Sequence, residues 1–310
     1  MESAAFSFIS NLLASGLSLA TPLLFAALGE IIMERAGILN ISLEGKMLVA
    51  AFFAMVAAYA TQSPLSGLIA GILAACVLGV FFALFTITLR ADQIIVGAGL
   101  NILALGLTGV LYRELFGKTG ATLSVPTFET VAIPGMETLP FIGRILFRHN
   151  VLVYGALAAT LIVWGLLYRL RFGLYLRAVG ENPGAADAAG LSVWRIRFTA
   201  VILGSILCGF GGSYLSIALA NTFVEGMTAG RGFIALAIVI FARWQPFGAW
   251  GVAWFFGAVS ALQFQFQAFG WQLPYQLFLM LPYVLTLVAA AFFGRRARPP
   301  AALGQPYSRE

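Results

Sequence analysis

Charge is what this 310-residue sequence has least of: Asp, Glu, Lys and Arg together make up 10% of it, with one histidine and two cysteines. A soluble protein uses about 25% charged residues to keep its surface in water. A water-soluble enzyme or nucleic-acid-binding module is therefore excluded. The shortage of histidine and cysteine leaves no cluster with metal-ligand spacing, and no nucleophile motif or carboxylate pair stands in for one. Cys76 and Cys208 both lie inside apolar runs and read as small buried residues. His149 sits at a span boundary, where an interfacial place without a chemical role is expected. What the chain does have is 61% hydrophobic residues and a mean hydropathy of +0.94. Its fold class is an all-α polytopic membrane protein, and 34 glycines with 12 prolines suit closely packed helices containing breaks.

A hydrocarbon core about 30 Å thick needs roughly 20 apolar residues of helix. Runs of this kind cover 8–33, 38–60, 64–89, 93–116, 150–168, 197–220, 247–268 and 272–293. The run 229–243 has only eleven residues between Arg231 and Arg243. It is either a short span with both arginines snorkelling to the interfaces or a helix that dips in and returns. Counted as a crossing, it gives nine spans in a single transmembrane domain, 1–310. The first run lacks a basic start, contains Pro22 and has no small-residue cleavage site, so it reads as a span and not as a cleaved leader. Arg295, Arg296 and Arg298 place the tail 294–310 on the cytoplasmic side. Arg169, Arg171, Arg177 and Arg195 do the same for the loop 169–196. Alternation through nine spans then leaves the N-terminus and the loop 117–149 extracytoplasmic. In that loop Glu129 and Glu137 offset Lys118, Arg144 and Arg148, and Pro126, Pro134, Gly135 and Pro140 predict an ordered hairpin region.

Within the cytoplasmic loop, Asn182 is a good N-cap and Pro183 fits the first helical turn. Ala185, Ala186 and Asp187 continue the helix, Gly190 suits the left-handed position beyond its end, and Ser192 can cap the next span. This spacing predicts a surface helix of about seven residues whose small side chains let another protein approach; an ordinary interfacial helix is the plainer alternative. Polar residues within spans usually face protein or a water-filled path. Asn40 and Glu44 are four apart near the start of the second run, and Gln93, Gly97 and Asn101 recur at intervals of four in the fourth. Each could serve a polar solute or a neighbouring helix. Glu225, Thr228 and Arg231 flank a glycine-rich entry (Gly226, Gly230, Gly232) where a backbone break could serve a ligand or a gate, with Phe223 and Phe233 supplying an apolar wall. Gly117-Lys118-Thr119 is no phosphate loop, because Tyr112 stands where its first glycine belongs.

Four segments in one order carry a resemblance: Gly37-Ile38-Leu39-Asn40-Ile41-Ser42-Leu43-Glu44-Gly45, Leu89-Arg90-Ala91-Asp92-Gln93-Ile94-Ile95-Val96-Gly97, the loop 176–193, and Met227-Thr228-Ala229-Gly230-Arg231-Gly232-Phe233-Ile234-Ala235-Leu236-Ala237. Together they resemble binding-protein-dependent ABC importer permeases of the ribose, branched-chain amino acid and nucleoside type. The match is nearest to the shorter permease of bacterial guanosine-type nucleoside importers, and Pro300–Tyr307 is similar to that subgroup as well. Relative to the ribose permeases, the first membrane helix is missing. The resemblance makes the cytoplasmic helix a coupling helix, with Glu181, Asn182, Pro183, Ala185, Ala186, Asp187 and Gly190 facing an ATPase. Ala185-Ala186, three residues and Gly190 resemble the EAA…G signature, with Gly184 where the glutamate belongs. It further implies a second related permease, a cytoplasmic ATPase that binds ATP and Mg, and an extracytoplasmic binding lipoprotein. This chain would sit among lipid in the bacterial inner membrane as a transport subunit, with no enzymatic activity, cofactor or metal of its own and no nucleic-acid partner. The carried solute is expected to be a nucleoside, with simple sugars or branched-chain amino acids as alternatives. An ion-coupled secondary transporter, the competing class, is disfavoured by the coupling-helix geometry and by the shortage of carboxylates at mid-depth.

Overall fold

Helix boundaries in this chain follow its caps and turns. In the computed structural model, which describes residues 2–117, 124–132, 135, 142–268, 280, 284 and 298–308, α1 spans Glu2–Arg35 and ends at Gly37, whose φ of +83° turns the chain back. Helix α2 spans Leu43–Thr61 and α3 spans Pro64–Ala83, opening on proline and running on through a π turn at Leu84–Thr88. Asp92 caps α4 (Gln93–Phe116) by accepting from the Ile94 and Ile95 N–H groups. Strand β1 (Thr130–Ala132) pairs antiparallel with β2 (Arg148–Asn150), and α5 (Ile142–Leu146) lies between them. Then come α6 (Val151–Tyr168), α7 (Arg171–Glu181), α8 (Pro183–Ala188), and α9 (Val193–Tyr214) with a second π turn at Leu215–Leu219. The last described helices are α10 (Arg231–Phe241) and α11 (Pro246–Ala268).

Among the described residues, seven helices are long and apolar enough to cross a membrane. The chain is a multi-pass membrane protein. Two expected boundaries move. The second span begins at Leu43 instead of 38, because residues 38–42 form the turn after α1, and the sixth begins at Val193 because Ser192 caps it. Helix α10 has 11 residues, about 16 Å at 1.5 Å per residue and half of a hydrocarbon core. Apart from residues 280 and 284, the expected span 272–293 lies outside the described residues, as do Arg295, Arg296, Lys118, Pro134, Glu137 and Pro140.

Helix α1 forms the axis of the bundle, with α9 and α11 packed along it. The contacts are close because the seams are made of small residues, which is how helices associate where water supplies no driving force. A Cβ on Gly29 of α1 would come within 2.6 Å of the Gly204 carbonyl of α9, and one on Gly204 within 2.7 Å of the Gly29 carbonyl. Apolar side chains cover the outer faces of α3 (Leu65, Ile69, Leu73) and α4 (Ile95, Ile102, Leu103). Cys208 is buried and Cys76 partly so, both as free thiols.

At one end, the hairpin β1–β2 is tied to α1. His149 Nε2 lies 2.7 Å from the Ile145 carbonyl, and its Nδ1 lies 3.2 Å from Ser18 Oγ. At the other end, residues 298–308 lie against the ends of α1 and α7: the Ala302 N–H donates to the Gly180 carbonyl (2.9 Å) and the Gly304 N–H to that of Gly37 (3.1 Å).

Two outcomes are expected. Gly204→Val should destabilise the protein by about 1–3 kcal/mol through overpacking. Gly99→Val, where a Cβ meets nothing within 4 Å, should leave thermal unfolding in detergent unchanged. Burial holds His149 below its ordinary value of 6.5, with the Ile145 hydrogen bond partly opposing. The unfolded hairpin therefore binds more protons than the folded one below pH 6.5, so the hairpin's stability falls as pH drops through that value. His149→Gln should abolish this dependence in hydrogen exchange of residues 148–150.

Candidate functional site

Residues 220–230 cross part of the bundle without helical structure. Asn221, Gly226, Ala229 and Gly230 all adopt positive φ (49°, 69°, 44° and 81°), which bends the chain into successive turns. Its outer end is pinned by Phe223, buried to 1% and packed edge-to-face on Phe52 (5.3 Å) and tilted against Tyr112 (5.5 Å). Glu225 follows, half-exposed, with an oxygen 3.4 Å from Arg113 Nε. Arg231 folds back on the turn before it, donating from Nη1 to the Met227 and Thr228 carbonyls (2.8 and 3.2 Å).

The inner end is held by Glu44, in the first turn of α2. One carboxylate oxygen accepts from the Gly230 N–H and the other from the Gly232 N–H, each at 2.7 Å. These are orphan donors at the N-terminus of α10, where a negative charge also meets the positive end of the helix dipole. A side chain at position 232 would collide with the Glu44 backbone, so glycine there is what lets the two helices approach.

Glu44 is itself held in place by α4. Asn101 Oδ1 accepts from the Gly45 N–H (2.7 Å), its Nδ2 donates to the Ile41 carbonyl (3.0 Å), and Gln93 Oε1 accepts from the Leu39 N–H (2.7 Å). Gly97 lets α4 lie against Ile41. The Gln93-Gly97-Asn101 stripe thus forms the α4–α2 seam, the helix–helix reading of that spacing. Asn101 also reaches a cleft of about 230 Å³ whose walls include Glu44, Leu48, Ile102, Leu105 and Thr228.

Two expected groupings do not form. Asn40 precedes α2, so it shares no helix face with Glu44; it is buried, with its N–H on Glu30 (2.8 Å) and its Oδ1 accepting from the Ser42 N–H (3.1 Å). Phe223 is in the core whereas Phe233, on α10, is 49% exposed, so the two do not build one wall.

The structure also adds groups to which the sequence reading gave no role. Glu30, Glu34 and Lys46 are buried within the bundle. Glu34 accepts from the Trp244 indole N–H, and the Lys46 ammonium lies 5.0 Å from the centre of the Phe82 ring. Membrane carboxylates are therefore less scarce than the sequence reading holds, but these ones bind the turn after α1 and the Trp244 indole and do not line the cleft. Charges inside the long apolar runs were the available signal.

The loop 169–196 contains two helices instead of one. Helix α7 buries Gly173, Leu176, Val179 and Gly180, a helical periodicity legible in the sequence. Asn182 ends α7 and caps α8, its Oδ1 accepting from the Ala185 N–H (3.0 Å), with Pro183 at the first helical position. Ala186 is the buried side chain of α8, packed into the main core, while Glu181, Asn182, Ala185 and Gly190 are exposed. Gly190 has the expected left-handed φ, +87°, and Asp187 accepts from the Tyr307 hydroxyl (3.0 Å).

Glu44→Ala leaves two N–H groups without their acceptors, at about 1–3 kcal/mol each when buried. Hydrogen exchange at Gly230 and Gly232 should rise by at least tenfold in that variant, while exchange in α6 stays unchanged.

A family model described as "Branched-chain amino acid transport system / permease component" matches residues 12–290. The guanosine ABC transporter permease protein NupQ of Bacillus subtilis is 34% identical, over 96% of this chain and 97% of its own length. The nucleoside ABC transporter permease protein NupC of Lactococcus lactis is also 34% identical, over 96% of each. A putative glucose ABC transporter permease protein of Haloferax volcanii, TsgC13, is 39% identical over 84% of this chain and 79% of its own. No solved structure matches significantly. A bundle of membrane helices with a broken segment, an exposed cap-and-glycine helix and a family match over most of its length belong together: the chain is a member of the branched-chain amino acid transport system permease family.

Proposed function

We propose that the chain is the membrane-spanning subunit of an ATP-driven importer and carries nucleosides handed over by an extracytoplasmic binding protein. The carrying observation is the end-to-end similarity to guanosine and nucleoside permeases, at 34% identity over 96% of the chain. The cleft suits such a solute in kind. Leu48, Ile102 and Leu105 offer an apolar surface for a base, while Glu44 and Asn101 reach the cleft wall with their polar atoms already held by backbone groups.

The cleft is one side of a pathway. Ile102 and Leu105 line it while remaining 74% and 55% exposed, so a second, related permease is the element that would close it. Helix α8, with small exposed side chains between two fixed ends, would enter a cytoplasmic ATPase that binds ATP and Mg. The hydrolysis then belongs to that partner.

Nine crossings fit the contacts. Helix α11 runs antiparallel to α1, with Arg35 Nη2 donating to the Trp244 carbonyl at one end and the Trp254 indole donating to the Leu13 carbonyl further along. Residues 220–241 make a broken crossing between α9 and the start of α11. The tail 298–308 lies on the side from which α11 departs, so the apolar run 272–293 supplies the return. With nine crossings the termini lie on opposite faces, and the arginines of the loop 169–196 favour the tail and α8 in the cytoplasm and the N-terminus and the loop 117–149 outside, in a bacterial inner membrane.

The test is reconstitution in liposomes with the neighbouring ATPase, second permease and binding protein. Guanosine should stimulate ATP hydrolysis and accumulate in the liposomes. Gly190→Trp on the exposed end of α8 should lower that stimulation by at least about tenfold. If no ATPase associates, the transporter reading fails. If glucose stimulates and guanosine does not, as the similarity to the Haloferax protein would favour, only the substrate reading fails.

A further inference from the structure

Helix α8 has six residues, too few to be stable alone, and the chain turns sharply away at both of its ends. Asn182 is extended (φ −148°) on one side and Gly190 left-handed (φ +87°) on the other. Ala186 anchors it to the core. A helix whose one buried side chain is an alanine has little packed surface through which to carry load into the membrane.

The tail supplies a second attachment. The Tyr307 hydroxyl donates to Asp187 (3.0 Å), and Leu303 and Tyr307 pack against the main core. The tail is in turn fixed to the end of α1: Gly304 N–H to the Gly37 carbonyl (3.1 Å), and Arg197 Nη1 to the Gln305 carbonyl (3.0 Å). Arg197 is 3% exposed and also donates from Nε to the Ala36 carbonyl (3.2 Å). One buried cation thus joins the tail, α9 and the negative end of the α1 dipole. Beyond Gly37 the chain enters the turn that leads to Glu44, the clamp on α10.

We infer that the tail is a brace through which α8 moves the α1–α2 turn, and that Tyr307 and Arg197 are positioning residues for energy coupling. The inference rests on the proposed role of α8 and goes beyond it, because it assigns transmission to a segment outside both α8 and the membrane spans. The contiguous hydrogen bonds make a physical route, and its use has to be read as coupling.

The experiment uses the reconstituted complex and measures guanosine moved per ATP hydrolysed. Tyr307→Phe removes one hydroxyl, and the ratio should fall by about five- to tenfold, the worth of one ordinary hydrogen bond. The thermal stability of the permease and its recovery with the ATPase should be unchanged. Asp187→Asn keeps an acceptor and should retain the ratio, whereas Asp187→Ala should lose it. The double variant Tyr307→Phe/Asp187→Ala should be no worse than either single one. Arg197→Lys, which cannot span both carbonyls, should lower the ratio in the same way. An unchanged ratio in Tyr307→Phe, additive losses in the double variant, or a loss of stability with the ratio intact each overturns the brace. Gly190→Trp run in parallel separates the two ideas. If it has no effect, the reading of α8 fails; if it uncouples while Tyr307→Phe does not, only the brace fails.

Discussion

The two oxygens of Glu44 accept the Gly230 and Gly232 N–H groups, and much of the molecule is arranged around that contact. A bilayer offers no water to a broken backbone, so irregular chain at membrane depth survives only where protein or a wet cavity satisfies it. Here a carboxylate from a neighbouring helix does so, in a place where helix polarity also favours negative charge. To stand there, Glu44 needs α2 to begin at Leu43, and that start is fixed by the amides of Asn101 and Gln93 reaching across from α4. The opening of α10, the cleft beside it and the α2–α4 seam are thus one connected arrangement.

The bilayer-crossing runs and the caps were legible in the sequence because each rests on local chemistry. Twenty apolar residues, a proline at a first turn and a glycine after a last one act within a few positions of themselves. Asn182, Pro183, Gly190 and Ser192 all take the places their types suggest. The site was harder, because its members meet through contacts between residues up to 188 apart. Spacing put Asn40 beside Glu44, but a turn intervenes and sends Asn40 into the core. Phe223 and Phe233 looked paired only because sequence does not record that α10 starts between them. Helix α7 was the one element whose periodicity was present and outweighed by its four loop-like charges, Arg171, Arg177, Glu181 and the neighbouring Arg169.

Scarcity of charge takes on a different meaning in the folded chain. Glu30, Glu34, Lys46 and Arg197 are all buried, and the contacts that Glu30, Glu34 and Arg197 make reach the ends of helices or the turns between them. Isolated in hydrocarbon these groups would be costly. Placed at turns, Glu30 and Arg197 satisfy backbone groups that helices leave open, and Glu34 takes up an indole N–H. Sequence composition records how few such groups there are; position decides that three of these four fasten two elements together.

Residues 298–308 emerge from the ribosome after every element they touch: the end of α1, α7, α8 and the start of α9. The surface around α8 is therefore completed only when synthesis has passed all of the membrane helices before it. A nascent chain stalled among its later spans would present α8 without its second support. Order of synthesis thereby sets when that surface is finished: it waits for a segment made after every helix on which it rests.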